Sequence, residues 1–122
     1  DLYYIRIEIG KKLMKGLSMF NYETDDNFSN RNIPIYNFVI DFISFCYFKQ
    51  LKVLDLSHAK ITDTAVEHLI KCDFKQLQKL HLSYTKITDT TVEHLIKCDF
   101  KQLQRLHLTY TKITDTTVEH LI

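Results

Sequence analysis

The chain has 122 residues, of which 45% are hydrophobic and 25% charged, values that suit one folded domain. Its net charge of +1 gives no bulk indication of nucleic-acid or anionic-membrane binding, and its two glycines exclude a glycine-rich phosphate loop. No apolar run approaches the roughly 18 residues of a membrane-spanning helix, and residues 1–15 lack the apolar core of a signal peptide.

Residues 1–47 carry a weak form of the 26-residue period that dominates the rest of the chain. Shifted back by one period, the apolar columns fall on Tyr22, Phe28, Ile35, Ile40, Ile43 and Cys46. Shifted by two periods, they fall on Leu2, Tyr4, Ile9, Met14, Leu17 and Phe20. We therefore predict either two degenerate repeats, over about 1–21 and 22–47, or an N-terminal cap. The polar residues 25–32 are expected to form an irregular loop in place of a strand.

Three successive copies of one unit fill residues 48–122, with boundaries at 48–73, 74–99 and 100–122. The first two copies differ at six of 26 positions, and the last two differ at two of the 23 that they share. A unit of this length cannot bury its own apolar residues, so the copies must stack into a solenoid. Because the chain starts with Asp1 and its last copy stops three residues short, we expect a fragment of a longer protein.

The first half of each unit is predicted to be a short strand. In the middle copy, residues 79–83 alternate polar and apolar side chains with a period of two, which is typical of a half-buried strand. The predicted inward-facing side chains are Leu80 and Leu82, and the predicted outward-facing ones are Lys79, His81 and Ser83.

The second half of each unit is predicted to be a helix. Thr90 and Glu93 match the T-x-x-E capping box, and Asp89 or Thr90 can accept from first-turn amides. Val92, Leu95 and Ile96 form an apolar stripe that should face the strands. Stacked units then give a parallel sheet. Its strand face is concave because a helix is wider than the strand spacing of about 4.8 Å.

The repeat resembles a known family. The spacing Leu51-x-x-Leu54-x-Leu56-x-x-Ala59-x-Ile61 resembles the leucine-rich-repeat signature. The residues Ile61-Thr62-Asp63, Leu69 and Cys72 resemble its cysteine-containing subclass, which is found in the substrate-recognition arms of F-box proteins. The resemblance implies an α/β leucine-rich-repeat solenoid, curved, with parallel strands on the concave face and helices on the convex face. It also implies a non-catalytic protein-binding role and, for the parent protein, a ubiquitin-ligase adaptor.

Two features test how far this resemblance extends. Where the family usually has Asn or Cys, this chain has Ala59, Thr85 and Thr111, and threonine can bond the turn backbone whereas alanine cannot. Residues 33–43 are also similar to the opening helix of an F-box. A complete F-box needs about 40 residues, and only some fifteen separate Ile33 from the first clear repeat.

The three cysteines, Cys46, Cys72 and Cys98, occupy one column of the repeat. This column is predicted to hold small buried apolar groups, which favours a reducing, intracellular setting. A disulfide between stacked columns is the alternative.

The differences between the copies concentrate at exposed positions of the strand and its exit, whereas the helix is copied almost unchanged. This pattern favours selection on a binding surface over neutral drift. The predicted partner-binding residues are Val53, Asp55, His58, Lys79, His81, Ser83, Tyr84, Arg105, His107, Thr109 and Tyr110. Aromatic and arginine side chains are common anchors of protein interfaces, and a carboxylate-rich, partly apolar partner would suit this surface. The alternative function is a structural spacer or array that uses the copied helix face.

Other chemistry is disfavoured. Asp55, His81 and His107 would diverge on a sheet and so make a poor metal site. Nucleic-acid binding by the basic and tyrosine side chains is disfavoured by the near-neutral charge. The column of His68, His94 and His120 is interpreted as a solvated convex row, and Asp63, Asp89 and Asp115 as helix caps. No catalytic residue, metal or cofactor is predicted, and further repeats or another chain are expected at the C-terminal edge.

Overall fold

The computed structural model describes residues 2–18, 25–29, 35–43, 50–71, 74, 76–98 and 100–114. Its helices are α1 (Leu2–Ser18), α2 (Asn37–Ile43), α3 (Asp63–Leu69) and α4 (Asp89–Ile96). Its strands are β1 (Asn27–Ser29), β2 (Val53–Asp55), β3 (Lys79–His81) and β4 (Arg105–His107). None of the helices in these ranges is long and apolar enough to cross a membrane.

The four strands form one parallel sheet in chain order, as the stacking of repeats predicts. Phe28 lies beside Leu54, Leu54 beside Leu80, and Leu80 beside Leu106. Each neighbour is 26 residues further along the chain, so the sequence period is also the register of the sheet. Parallel strands need a crossover connection, and α2, α3 and α4 supply it. The fold is therefore an α/β solenoid.

The core lies between the sheet and the helices. Leu54 and Leu56 of one repeat are buried in the same cluster as Val66 and Leu69 of the helix that follows. The cluster continues into the next repeat through Leu80. Stacking therefore buries apolar groups that a single repeat would leave in water.

The N-terminal part contains a strand where the sequence predicted an irregular loop. Residues 27–29 form β1, because Phe28 alone supplies the inward-facing apolar group and is 2% exposed. The carbonyl of Asp26 accepts from the backbone amides of Lys52 and Val53, which extends the parallel ladder. Residues 2–18 form one continuous helix. The division of residues 1–47 into two repeats or a cap stays a prediction.

The predicted apolar stripe of α4 is correct at two of its three positions. Val92 is fully buried and Leu95 is 6% exposed, but Ile96 is 51% exposed. Ile96 is the last residue of α4, and its counterpart Ile70 packs partly against the core. The side chain at this repeat position is therefore partly buried in the repeat that contains Ile70 and exposed in the repeat that contains Ile96.

The turn that follows each strand confirms the argument about threonine. The Thr85 hydroxyl donates to the Leu82 carbonyl at 2.7 Å, and the Thr111 hydroxyl donates to the Leu108 carbonyl at 2.8 Å. Ala59 has no such group, and its turn is closed by its own backbone amide, which donates to Leu56. The hydroxyls of Thr85 and Thr111 therefore each contribute a turn hydrogen bond that Ala59 cannot make.

The helix start differs from the predicted capping box. Thr88 is the N-cap of α4, and its hydroxyl accepts from the Thr90 amide at 3.3 Å. Thr90 is already helical, so it cannot cap, and Glu93 is exposed. The capping box is wrong because the N-cap is Thr88 and the helix begins two residues earlier than that motif requires.

Side chains at the helix starts join neighbouring repeats, which the sequence did not predict. The Thr62 amide donates to Asn37 Oδ1 at 3.0 Å, and the Thr88 amide donates to Asp63 Oδ1 at 2.8 Å. The Thr114 amide donates to Asp89 Oδ1 at 2.8 Å. Each bond joins one repeat to the next. The carboxylates at this column therefore bridge repeats in addition to lying in the first turn of a helix. We call Asn37, Asp63 and Asp89 the bridge column.

Candidate functional site on the strand face

The strand face consists of the outward-facing side chains of β2, β3 and β4 and of the turns that follow them. The register places the predicted residues in rows across the strands. One row holds Val53, Lys79 and Arg105, and the next holds Asp55, His81 and His107. All the predicted partner-binding residues except Ser83 are exposed or half-buried. The structure therefore brings most of the predicted set together on one surface.

Ser83 differs from its predicted outward position. It is 7% exposed, and its hydroxyl oxygen accepts from the Thr109 hydroxyl at 3.1 Å. The equivalent Thr109 is exposed. The neighbouring repeat covers Ser83, so the simple alternation of the strand does not continue into the turn.

Two imidazole rings stack in the second row. The centroids of His81 and His107 are 4.2 Å apart, and the ring planes are inclined by 10°. Burial lowers the pKa of His81 below its ordinary value, and the charges of His107, Lys79 and Arg105 lower it further, against an opposing effect of Asp55. His81 is therefore neutral near pH 7.

A longer aromatic row follows the strands. His58 stacks on Tyr84 with centroids 4.3 Å apart, and Tyr84 stacks on Tyr110 at 4.6 Å. These separations match the spacing of parallel strands, about 4.8 Å, because the register sets the distance between the rings. Tyr84 is 49% exposed and Tyr110 is 75% exposed. We call His58, Tyr84 and Tyr110 the aromatic ladder.

Each residue of the aromatic ladder has a left-handed backbone. The φ angles are 63° at His58, 58° at Tyr84 and 54° at Tyr110. A residue with a Cβ pays about 1–2 kcal/mol in this region, which glycine occupies freely. The aromatic side chains are therefore present where the backbone conformation favours glycine. Left-handed non-glycine residues are enriched at functional sites.

The left-handed backbone makes a testable prediction at Tyr84. Tyr84→Gly should be more stable than Tyr84→Ala by about 1 kcal/mol, because both variants lose the ring and only alanine retains a strained Cβ. The measurement is the free energy of unfolding in urea. At Glu93, exposed within α4, the order should reverse, with alanine about 1 kcal/mol more stable than glycine. The same order at both positions would contradict this account.

Histidines on the helices do not all lie in the predicted solvated row. His68 Nδ1 lies 3.5 Å from the carboxylate of Asp41 on α2, and the His68 side chain is only 21% exposed. Asp41 also forms an ion pair of 2.9 Å with Arg6 of α1. His68 therefore belongs to a contact between helices. His120 lies outside the described residues.

The described residues offer no alternative site for metal chemistry. No group of three or more His, Cys, Asp or Glu side chains in these ranges could hold a metal ion. Cys98 is a half-buried free thiol whose Sγ donates to the His94 carbonyl at 3.7 Å, and burial raises its pKa. Cys46, Cys72 and Asp115 lie outside the described residues.

Comparison with known protein families finds a match for two segments of the chain. A model for the leucine-rich repeat matches residues 50–69 and 76–95. These two segments are similar to leucine-rich repeats. Comparison with curated proteins gave no match. The first matched segment contains β2 and α3, and the second contains β3 and all of α4 except its last residue, so each matched segment is one strand and one helix. Leucine-rich repeats generally mediate protein–protein interactions and are typically not enzymes, and their stacked strands present an extended surface to a partner.

Proposed function

We propose that the chain is a non-catalytic module that binds a protein partner through its strand face. The observation that carries this proposal is the aromatic ladder, a row of exposed, stacked rings on backbone positions that favour glycine. Keeping these rings costs folding stability, and the stacking of exposed rings offsets only part of that cost. A side chain that is retained at such a cost is expected to serve binding.

The chemistry of the strand face also supports this role. Tyrosine and arginine are among the side chains enriched at interface hot spots, and Tyr84, Tyr110 and Arg105 are exposed together here. Stacking restricts each ladder ring before a partner arrives. A partner therefore pays less conformational entropy to bind them.

The alternative is a structural spacer that uses the copied helix face. Its main support is the near-identity of the helices, but the bridge column gives part of that identity a folding reason. Asp63 and Asp89 must accept from Thr88 and Thr114 of the next repeat, so the sequence T-D-T recurs without any external partner. Conversely, the strand face varies where no bridge constrains it. We therefore favour the strand face.

The proposal is tested by comparing two double variants in an affinity capture with quantitative mass spectrometry. Tyr84→Gly with Tyr110→Gly removes two ladder rings and should reduce capture of the partner at least about tenfold. Glu67→Ala with Glu93→Ala changes two exposed helix-face residues and should leave capture unchanged. The opposite pattern would establish the helix face as the functional surface and remove this proposal.

A more specific form of the proposal is that the chain is part of a ubiquitin-ligase adaptor. It rests on the resemblance of the repeat to the cysteine-containing subclass, and the half-buried free thiol of Cys98 suits the reducing, intracellular setting that such a role requires. The longer parent protein would then deliver the bound partner for ubiquitin transfer. Reconstitution of the parent with ligase subunits should show ubiquitylation of the partner that Tyr84→Gly with Tyr110→Gly abolishes.

A further inference from the structure

Resting on the proposed function, we propose that the strand face binds an acidic peptide segment, and that the His81–His107 pair takes up a proton as it binds. The segment carries Asp or Glu side chains over β3 and β4 and apolar side chains toward the aromatic ladder. Its recognition would then strengthen as the solution becomes more acidic.

A block of four nitrogen-bearing side chains defines the acidic end of this partner. Lys79 pairs in register with Arg105, and His81 pairs in register with His107. We call these four residues the basic block. Neighbouring strands are about 4.8 Å apart, and alternate residues of one strand are about 7 Å apart. Two carboxylates of an extended peptide can therefore each lie within reach of a cation and an imidazole.

The charges around His81 leave the basic block without a balancing anion on β3 or β4. Four described groups act on His81, namely Asp55 on β2, Lys79 on its own strand, and Arg105 and His107 on β4. Asp55 is the only acidic one, and its Oδ1 already accepts from the Ser57 amide at 3.0 Å. The positive side of the strand face is therefore its β3–β4 half.

The stacked imidazoles make the binding sensitive to protons. Two rings with centroids 4.2 Å apart cannot both be charged without a large repulsion, and two permanent cations lie beside them. In the free protein His81 therefore resists protonation near neutral pH. A carboxylate placed against the pair favours its charged form, so the bound state holds more protons than the free state.

The aromatic ladder favours a peptide over single-stranded nucleic acid. Bases bind single-strand-binding proteins by stacking on open aromatic faces. Here Tyr84 has His58 on one face and Tyr110 on the other, with separations of 4.3 and 4.6 Å. Both faces of the Tyr84 ring are therefore covered, and a partner meets the ring at its edge, where the apolar and backbone groups of a peptide can pack.

The test uses a library of random peptides displayed on phage, selected on the chain at about pH 6. The selected peptides should be enriched in Asp and Glu. The dissociation constant of a selected peptide should rise by roughly three- to tenfold between about pH 6 and about pH 8, because one imidazole pKa shifts on binding.

His81→Gln with His107→Gln should remove this pH dependence, and His94→Gln, on the helix, should leave it unchanged. Circular dichroism confirms that each variant is folded. NMR titration should show the pKa of His81 rising when the peptide is bound.

The outcomes separate this inference from the proposed function. Selected peptides that require Tyr84 and Tyr110 but have no acidic bias, or bind equally at both pH values, would overturn the inference and leave the proposed function intact. Peptides that bind Tyr84→Gly with Tyr110→Gly unchanged would overturn both. A single-stranded RNA oligomer that binds the basic block more tightly than the acidic peptide would also overturn the inference.

Discussion

Replacing Leu80 by alanine should lower the free energy of unfolding by about 3–5 kcal/mol, the cost of truncating a fully packed leucine. Leu80 is 3% exposed and lies in register between Leu54 and Leu106, so its removal leaves a void between three repeats. A typical domain has only about 5–15 kcal/mol of stability. The variant is therefore expected to be partly unfolded at moderate temperature. Urea denaturation followed by circular dichroism measures the change.

The matched control is Ile96→Ala in the same repeat. Both substitutions replace a branched four-carbon side chain by a methyl group, but Ile96 is 51% exposed, so the loss should be about 0.5–1 kcal/mol. Equal losses at the two positions would mean that Leu80 does not lie in a continuous core. The stacking of repeats in register would then be wrong.

Much of this fold could be predicted from the leucine spacing. The 26-residue period set the register of the sheet, because residues at the same column of successive repeats became neighbours. The turn hydrogen bonds of Thr85 and Thr111 also followed from chemistry, since a threonine hydroxyl in the turn after a strand can reach a turn carbonyl. Local period and side-chain chemistry were sufficient in both cases.

The rest depended on contacts between repeats. The bridge column joins residues 25 positions apart, and a helix-start aspartate has the same local sequence whether it caps its own helix or accepts from the next repeat. Ile96 fits the apolar stripe, yet its burial depends on which groups pack beyond it. Ser83 is covered by Thr109 of the neighbouring repeat. A strand or helix pattern carries no information on such contacts.

The strand face includes features that the sequence predicted and features that it did not. Its basic, imidazole and aromatic side chains were predicted as partner-binding residues, and their arrangement in rows follows directly from the period. The left-handed backbone at Tyr84 was not predicted, because the identity of a tyrosine residue does not indicate a positive φ. One signal was available, since the position lies in a turn directly after a strand in every copy. The register that builds the core therefore also builds the candidate site.

The bridge column gives the second large effect, at Asp63. Its carboxylate accepts from the Thr88 amide at 2.8 Å, from the Thr88 hydroxyl at 2.6 Å and from the Thr91 hydroxyl. Thr91 is fully buried, so Asp63→Ala would leave its hydroxyl without this acceptor. We expect Asp63→Ala to lower the free energy of unfolding by about 2–4 kcal/mol near pH 7. Asp63→Asn should cost about 1 kcal/mol or less, because Asn37 at the equivalent position makes both bonds with Thr62.

The free energy of unfolding at acidic pH separates the contribution of the Asp63 charge from that of its hydrogen bonds. Burial alone would raise the pKa of Asp63, but the hydrogen bonds from Thr88 and Thr91 together outweigh it and hold the pKa below its ordinary value. The folded state therefore binds this proton less readily than the unfolded state. The stabilisation is complete above about pH 4 and is lost as the pH falls through the lowered pKa.

When the free energy of unfolding is plotted from about pH 6 to pH 2, wild type should lose stability more steeply than Asp63→Asn. Glu67→Gln, exposed on the same helix, should follow wild type. Parallel curves for wild type and Asp63→Asn would show that the bridge column holds the repeats together by geometry alone, with no contribution from the charge of Asp63.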